Sequence, residues 1–170
     1  MDIHVSADGI ASWTGPHGRT ARARCALGRC GVADKSAEGD GVTPRGAFPL
    51  RRLFYRPDRL QKPATGLAPV ALLENQGWCD DPADAAYNTL IYLPCAAGHE
   101  NMWRDDGLYD VVVEIGYNDS PVVAGKGSAI FIHLAAPDYR PTEGCVALAQ
   151  GDLLEMLAGC GPGDRLVIGG

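Results

Sequence analysis

The stretch Ile130-Phe131-Ile132-His133 is followed twelve positions on by Cys145, inside Pro141-Thr142-Glu143-Gly144-Cys145-Val146-Ala147-Leu148, and the pair decides how the chain is read. Apolar, β-branched residues lead into the histidine, and a second apolar run follows the cysteine. That composition suits two short buried strands joined by a polar loop. A thiol attacks as the thiolate, so a reactive cysteine needs a base or cation within hydrogen-bond reach. Cys145 is the candidate nucleophile and His133 the candidate base. Taken alone, the two residues fit equally well a buried structural cysteine beside a core histidine.

Working outward, most of the chain reads as short strands separated by turns. Tyr109 to Ile115 is strongly apolar and ends at the turn Gly116-Tyr117-Asn118-Asp119, so Ser128 to Leu134 is expected to pair with it. Asn88 to Leu93 is a further strand. Near the N-terminus, Ile3-His4-Val5 and Ile10 to Trp13 flank Ala7-Asp8-Gly9, a hairpin with glycine at its turn. Arg22 to Leu27 and Gly46 to Phe54 follow as strands, whereas Arg56 to Pro69 carries three prolines and reads as irregular surface. One helix is expected, Gln150 to Ala158, with Leu153, Leu154, Met156 and Leu157 on its apolar face and Gly159, Gly161 and Pro162 ending it. Leu166 to Ile168 is the closing strand. Short strands at this spacing predict a mainly β fold, a sandwich with a few short helices.

A chain of 170 residues accommodates one domain, and 46% hydrophobic residues with a mean hydropathy of −0.08 fit a globular protein. The net charge is −6, the pI is near 5.1 and the basic residues are scattered, which argues against a nucleic-acid surface. No apolar run is long enough for a membrane span. Met1 to Ser6 lacks the basic and apolar regions of a secretory signal. Beside Cys145 stand Cys25, Cys30, Cys79, Cys95 and Cys160, an odd number that leaves at least one free thiol. A local Cys25–Cys30 bridge and a set of small buried thiols both fit. Cys95 with His99 suggests a metal pair, but no second pair has zinc spacing, and His4 and His17 fall in surface segments, so no metal or cofactor is expected. Gly125-Lys126-Gly127-Ser128 imitates a phosphate loop without the strand before it or the helix after it.

The run Gly127 to His133 with Thr142-Glu143-Gly144-Cys145-Val146 resembles the signature of the L,D-transpeptidase (YkuD-type) catalytic domain: a strand ending in Ile-His, a variable loop, then Ser/Thr-x-Gly-Cys-Ile/Val. Gly41-Val42-Thr43-Pro44-Arg45-Gly46-Ala47-Phe48 is similar to the family's Thr-Pro-x-Gly-x-Phe segment. Asp152-Leu153-Leu154 with Pro162 to Ile168 resembles its closing helix, turn and strand. The resemblance implies a YkuD-type β-sandwich acting on peptidoglycan stem peptides in the periplasm or cell wall, as a monomer. Cys145 would form a thioester acyl-enzyme that a second amine resolves, starting from a meso-diaminopimelate or neighbouring L-centre donor. His133 would act as base, oriented by the main-chain carbonyl of Leu134, with the amides around Gly144 and Cys145 as the oxyanion hole.

The family often has His before the glycine, where this chain has Glu143, and Arg or Asn two residues after the cysteine, where it has Ala147. Another cation must then meet the acidic stem peptide. Arg140 and Arg104 are the candidates, with Trp103 and Tyr109 as flat surfaces nearby and Thr142 and Glu143 as polar contacts. The same residues also fit an L,D-carboxypeptidase or amidase using water as acceptor, or a non-catalytic wall-binding module.

Overall fold

The computed structural model describes residues 1–15 and 18–169. Fourteen strands and one helix are present among them: β1 Asp2–Val5, β2 Ile10–Thr14, β3 Thr20–Ala26, β4 Val32–Ala33, β5 Thr43–Pro44, β6 Gly46–Tyr55, β7 Ala68–Ala71, β8 Gln76–Cys79, β9 Leu90–Tyr92, β10 His99–Asn101, β11 Val111–Ile115, β12 Phe131–Leu134, β13 Val146–Leu148, α1 Gln150–Ala158 and β14 Arg165–Ile168. The fold is mainly β, as the sequence indicates. His17 lies outside the described residues.

Two long strands make the architecture. Strand β3 pairs with β2 through Thr20–Arg24 and then with β13 through Cys25 and Ala26. Strand β6 pairs with β14 through Gly46–Pro49, then with β11 on one edge through Leu50–Tyr55 and with β7 on the other. Each long strand therefore leaves one sheet and enters the other, the device by which sandwiches turn corners. The result is a sandwich closed at both corners, running β11-β12-β13-β3-β2-β1-β14-β6 and back to β11. Closure pairs both edges of the strands in this ring and leaves β7 as the edge of the main sheet. The β1–β2 hairpin turns at Gly9, whose φ of 80° suits glycine.

The core between the two sheets collects Ile3, Val5, Leu53, Val113, Ile132, Val146, Leu148 and Leu166, with Leu153, Met156 and Leu157 of α1 sealing it. A second apolar layer lies on the other face of the β11–β12–β13 sheet. There Phe54, Trp78, Tyr109, Val112, Phe131 and Cys145 pack together, covered by the small sheet β10-β8-β9. Alternation along β12 explains the division: Ile132 and Leu134 enter the sandwich core, while Phe131 and His133 face the second layer.

Some elements differ from the expectations. β12 begins at Phe131 rather than Ser128 because Ala129 takes a positive φ of 52°. β9 begins at Leu90 because Asn88 has φ 56°, a conformation asparagine tolerates. The segment expected to be irregular contains the start of β7, while β8 and β10 lie where no strand is expected. The six cysteines are free thiols, so the Cys25–Cys30 bridge is not formed. No helix among the described residues is long and apolar enough to cross a membrane.

Candidate active site

Parallel pairing of β12 with β13 sets Ile132 opposite Val146, His133 opposite Ala147 and Leu134 opposite Leu148. His133 and Ala147 thus stand side by side, and Cys145, two residues before Ala147, comes to the same face. Cys145 and His133 are 7% and 6% exposed, and both line a cavity of about 490 Å³. Sequence spacing predicted that juxtaposition, and the register supplies its cause.

Backbone groups hold the thiol. The Phe131 N–H donates to Cys145 Sγ at 3.3 Å, and Sγ donates to the Ala129 carbonyl at 3.2 Å. The positive φ of Ala129 lets the chain present both groups to one sulfur. Burial pushes the thiol up to about 12, and the charge of Glu100 adds to that effect. His133 Nδ1 lies 2.9 Å from the Leu134 carbonyl, so Nδ1 carries the proton and Nε2 keeps its lone pair. Burial lowers the imidazole to about 4, with the Leu134 carbonyl working in the other direction. Thiol and imidazole are therefore both neutral at rest across the physiological range. No thiolate–imidazolium pair is preformed in this arrangement.

The Thr142-Glu143-Gly144 turn is built from its own side chains. Thr142 Oγ1 donates to the Cys145 carbonyl at 2.7 Å and accepts from the Gly144 N–H at 3.2 Å. Its hydroxyl is thereby committed to the turn, and so is the Gly144 amide expected at the oxyanion hole. Gly144 has φ 143°, and a Cβ there would come within 2.9 Å of the Val42 carbonyl. Glu143 is exposed and pairs with Arg29 at 2.9 Å.

Of the expected substrate-binding residues, Arg104, Tyr109, Arg140, Thr142 and Glu143 line the cavity. Trp103 is not among its lining residues: its ring takes the Arg56 guanidinium at 3.6 Å, which ties it to that side chain instead. Tyr109 packs its ring 5.2 Å from that of His133, and its hydroxyl donates to Glu100 at 2.6 Å. Arg104 hydrogen-bonds Asp106 at 3.0 Å, which offsets its charge, whereas Arg140 is exposed with Asp138 at 4.0 Å. Ala147 lines the cavity beside His133 and leaves room there.

Sequence reasoning missed several lining residues: Lys35, Glu38, Asp80, Glu100 and Ser128. Lys35 is buried and pairs with Asp40, whose carboxylate also accepts the amides of Ser36, Ala37 and Val42. That knot folds residues 35–42 so that Glu38 and Gly39 reach the cavity. The polar run Lys35-Ser36-Ala37-Glu38-Gly39-Asp40 is the one local signal for it.

The structure is thus a mainly β protein in which a thiol just before β13 and a tautomer-set imidazole on the neighbouring β12 open on one cavity. The family model for the L,D-transpeptidase catalytic domain, YkuD, matches residues 3–168, and the chain belongs to that family. No curated protein and no solved structure matches the chain. Members of the family are generally cysteine-dependent L,D-transpeptidases that act on peptidoglycan peptides.

Proposed function

We propose that the chain acts as a single catalytic domain, a peptidoglycan L,D-transpeptidase working in the periplasm or cell wall. The observation that carries this reading is the shared cavity of Cys145 and His133, with the imidazole tautomer set by Leu134 so that Nε2 is free to take a proton. His133 removes the thiol proton as Sγ attacks the donor carbonyl. The tetrahedral intermediate collapses, the C–N bond breaks and the imidazolium returns the proton to the leaving amine. A second stem peptide's neutral amine then attacks the thioester, His133 takes the proton it loses as the C–N bond forms and the C–S bond breaks, and the departing thiolate receives that proton. Burial of Cys145 and His133 disfavours water as acceptor, which favours transfer over hydrolysis. In the absence of a polar side chain at Ala147, the donor carboxylate is assigned to Arg140, an exposed cation on the cavity lining.

Product analysis on purified muropeptides tests the reading. Cross-linked dimers are expected, together with a transient mass increase on Cys145. Shortened monomers alone would make the protein a hydrolase. No mass change on Cys145 would overturn the enzyme assignment.

A further inference from the structure

One wall of the cavity is acidic. Glu38, Asp80 and Glu100 all line it and all are half-buried. None of the three takes part in an ion pair among the described residues, whereas Lys35 is committed to Asp40 and Arg104 to Asp106. Each of two carboxylates is held by a tyrosine. The Gly127 N–H donates to the Tyr87 hydroxyl at 3.0 Å, which in turn donates to Glu38, and Tyr109 donates to Glu100. Burial raises Asp80 and Glu100 above the usual carboxylate range, and repulsion from Glu38 contributes to both. Half-buried acids without a cation cost stability, and a fold keeps them where a ligand supplies the missing charge.

A second observation points the same way. Ser128 is 95% buried and lines the same cavity, yet its Oγ has no partner of hydrogen-bond geometry although the Tyr87 hydroxyl is close by. An unpartnered buried hydroxyl at a ligand cavity is a ready acceptor for a donor brought by the ligand. The described residues contain no group of three or more His, Cys, Asp or Glu side chains placed to hold a metal ion. The carboxylates are thus spread over a wall, which suits an organic cation on a flexible arm. A primary ammonium brings three donors and one positive charge to the carboxylates and the serine.

We infer that the Glu38–Asp80–Glu100 wall with Ser128 is a subsite for a primary ammonium group, and that it receives the amine acceptor before that amine attacks the acyl-enzyme. The second half of this statement rests on the transpeptidase reading; the first does not. Glu100 accepts from the Tyr109 hydroxyl, whose ring packs against His133, and it lines the same cavity as Cys145, so an ammonium held there lies on the cavity that holds the thioester. An ammonium has no lone pair and cannot attack. On the wall it gives one proton to a carboxylate, which later releases it to solvent. The neutral amine then forms the C–N bond as its second proton passes to His133 and the C–S bond breaks. The departing thiolate takes that proton back.

The test uses the intact chain and the diamine cadaverine, with 1-pentanol as an uncharged control. Cadaverine is expected to protect Cys145 from alkylation by iodoacetamide, and 1-pentanol is not. Glu38→Gln, Asp80→Asn and Glu100→Gln keep the shape of each side chain and one acceptor oxygen while removing the charge. Each should weaken protection roughly ten-fold, the scale of one charged hydrogen bond, with the melting temperature recorded to exclude unfolding. Equal protection in wild type and all three variants, or none in wild type, overturns the subsite. On muropeptides, Glu38→Gln and Asp80→Asn should shift products from cross-linked dimers to hydrolysed monomers, with the acyl-enzyme on Cys145 still seen by intact mass. An unshifted product ratio overturns the acceptor role. Cadaverine protection in a protein that never acylates on Cys145 supports the subsite and overturns the transpeptidase reading alone.

Discussion

At the scale of single residues, the neutral state of the Cys145–His133 pair sets the observable chemistry. Because burial holds the thiol near 12 and the imidazole near 4, iodoacetamide should alkylate Cys145 slowly at neutral pH and faster as the pH climbs past 9. A rate already at its plateau near neutrality would reveal a thiolate–imidazolium pair and refute the neutral assignment. Cys145→Ala should abolish cross-linking while leaving the melting temperature within about a degree or two, since alanine keeps the small apolar volume. Residual turnover in that variant would move the nucleophile elsewhere. Arg140 gives a separate prediction. Arg140→Ala should lower kcat/KM on muropeptides by about ten-fold or more if the side chain binds a carboxylate, because such a contact is worth on the order of 1.5–3 kcal/mol. The alkylation rate of Cys145 should stay unchanged. An unaltered kcat/KM would leave Arg140 a surface charge and turn attention to Arg104, despite its pairing with Asp106.

At the scale of elements, the turn before the nucleophile is where backbone geometry limits substitution. Gly144→Ala must accommodate a Cβ 2.9 Å from both the Val42 carbonyl and Ile130 Cδ1, at a φ that side chains rarely adopt. A cost of roughly 1–3 kcal/mol is expected, read as a fall in the denaturant midpoint, together with lost activity as Cys145 shifts. An unchanged midpoint would show that the turn can relax. This turn, with β12, β13 and α1, was legible in the sequence because the information is local: apolar alternation, a glycine between polar and apolar residues, and a 3.6-residue apolar face. The acidic wall was not legible. Glu38 comes from the loop after β4, Asp80 from the end of β8 and Glu100 from β10, and only the small sheet brings the last two together through the pairing of His99 with Cys79. Neither Gln76-Gly77-Trp78-Cys79 nor His99-Glu100-Asn101 alternates polar with apolar, since the first is buried throughout and the second is an edge. Trp103 shows the converse. Its place beside Arg104 suggested a flat surface for the substrate, but the Arg56 guanidinium takes its face.

At the scale of the whole molecule, the site couples function to stability through protons. His133 is held near 4 against 6.5 in the unfolded chain, so the unfolded state binds its proton first as the pH falls. The stability tied to the neutral imidazole is therefore fully present above about pH 6.5 and is lost as the pH drops toward 4. It amounts to about 3 kcal/mol over that interval. On the alkaline side, burial raises Cys25, Cys145 and Cys160 from 9.0 to about 12, so the unfolded chain loses those protons first. Stability from the protonated thiols is present below pH 9 and is lost as the pH rises toward 12. The melting temperature should accordingly be flat between these limits and fall on both sides. The two limbs can be assigned separately. His133→Gln, which cannot titrate, should flatten the fall between pH 6.5 and 4 even though its own melting temperature starts lower, while Cys160→Ala should soften only the alkaline limb. A His133→Gln protein with an acid slope as steep as wild type would mean that carboxylates, rather than the buried imidazole, set acid stability. The base would then have to be charged more easily than its burial beside Tyr109 implies.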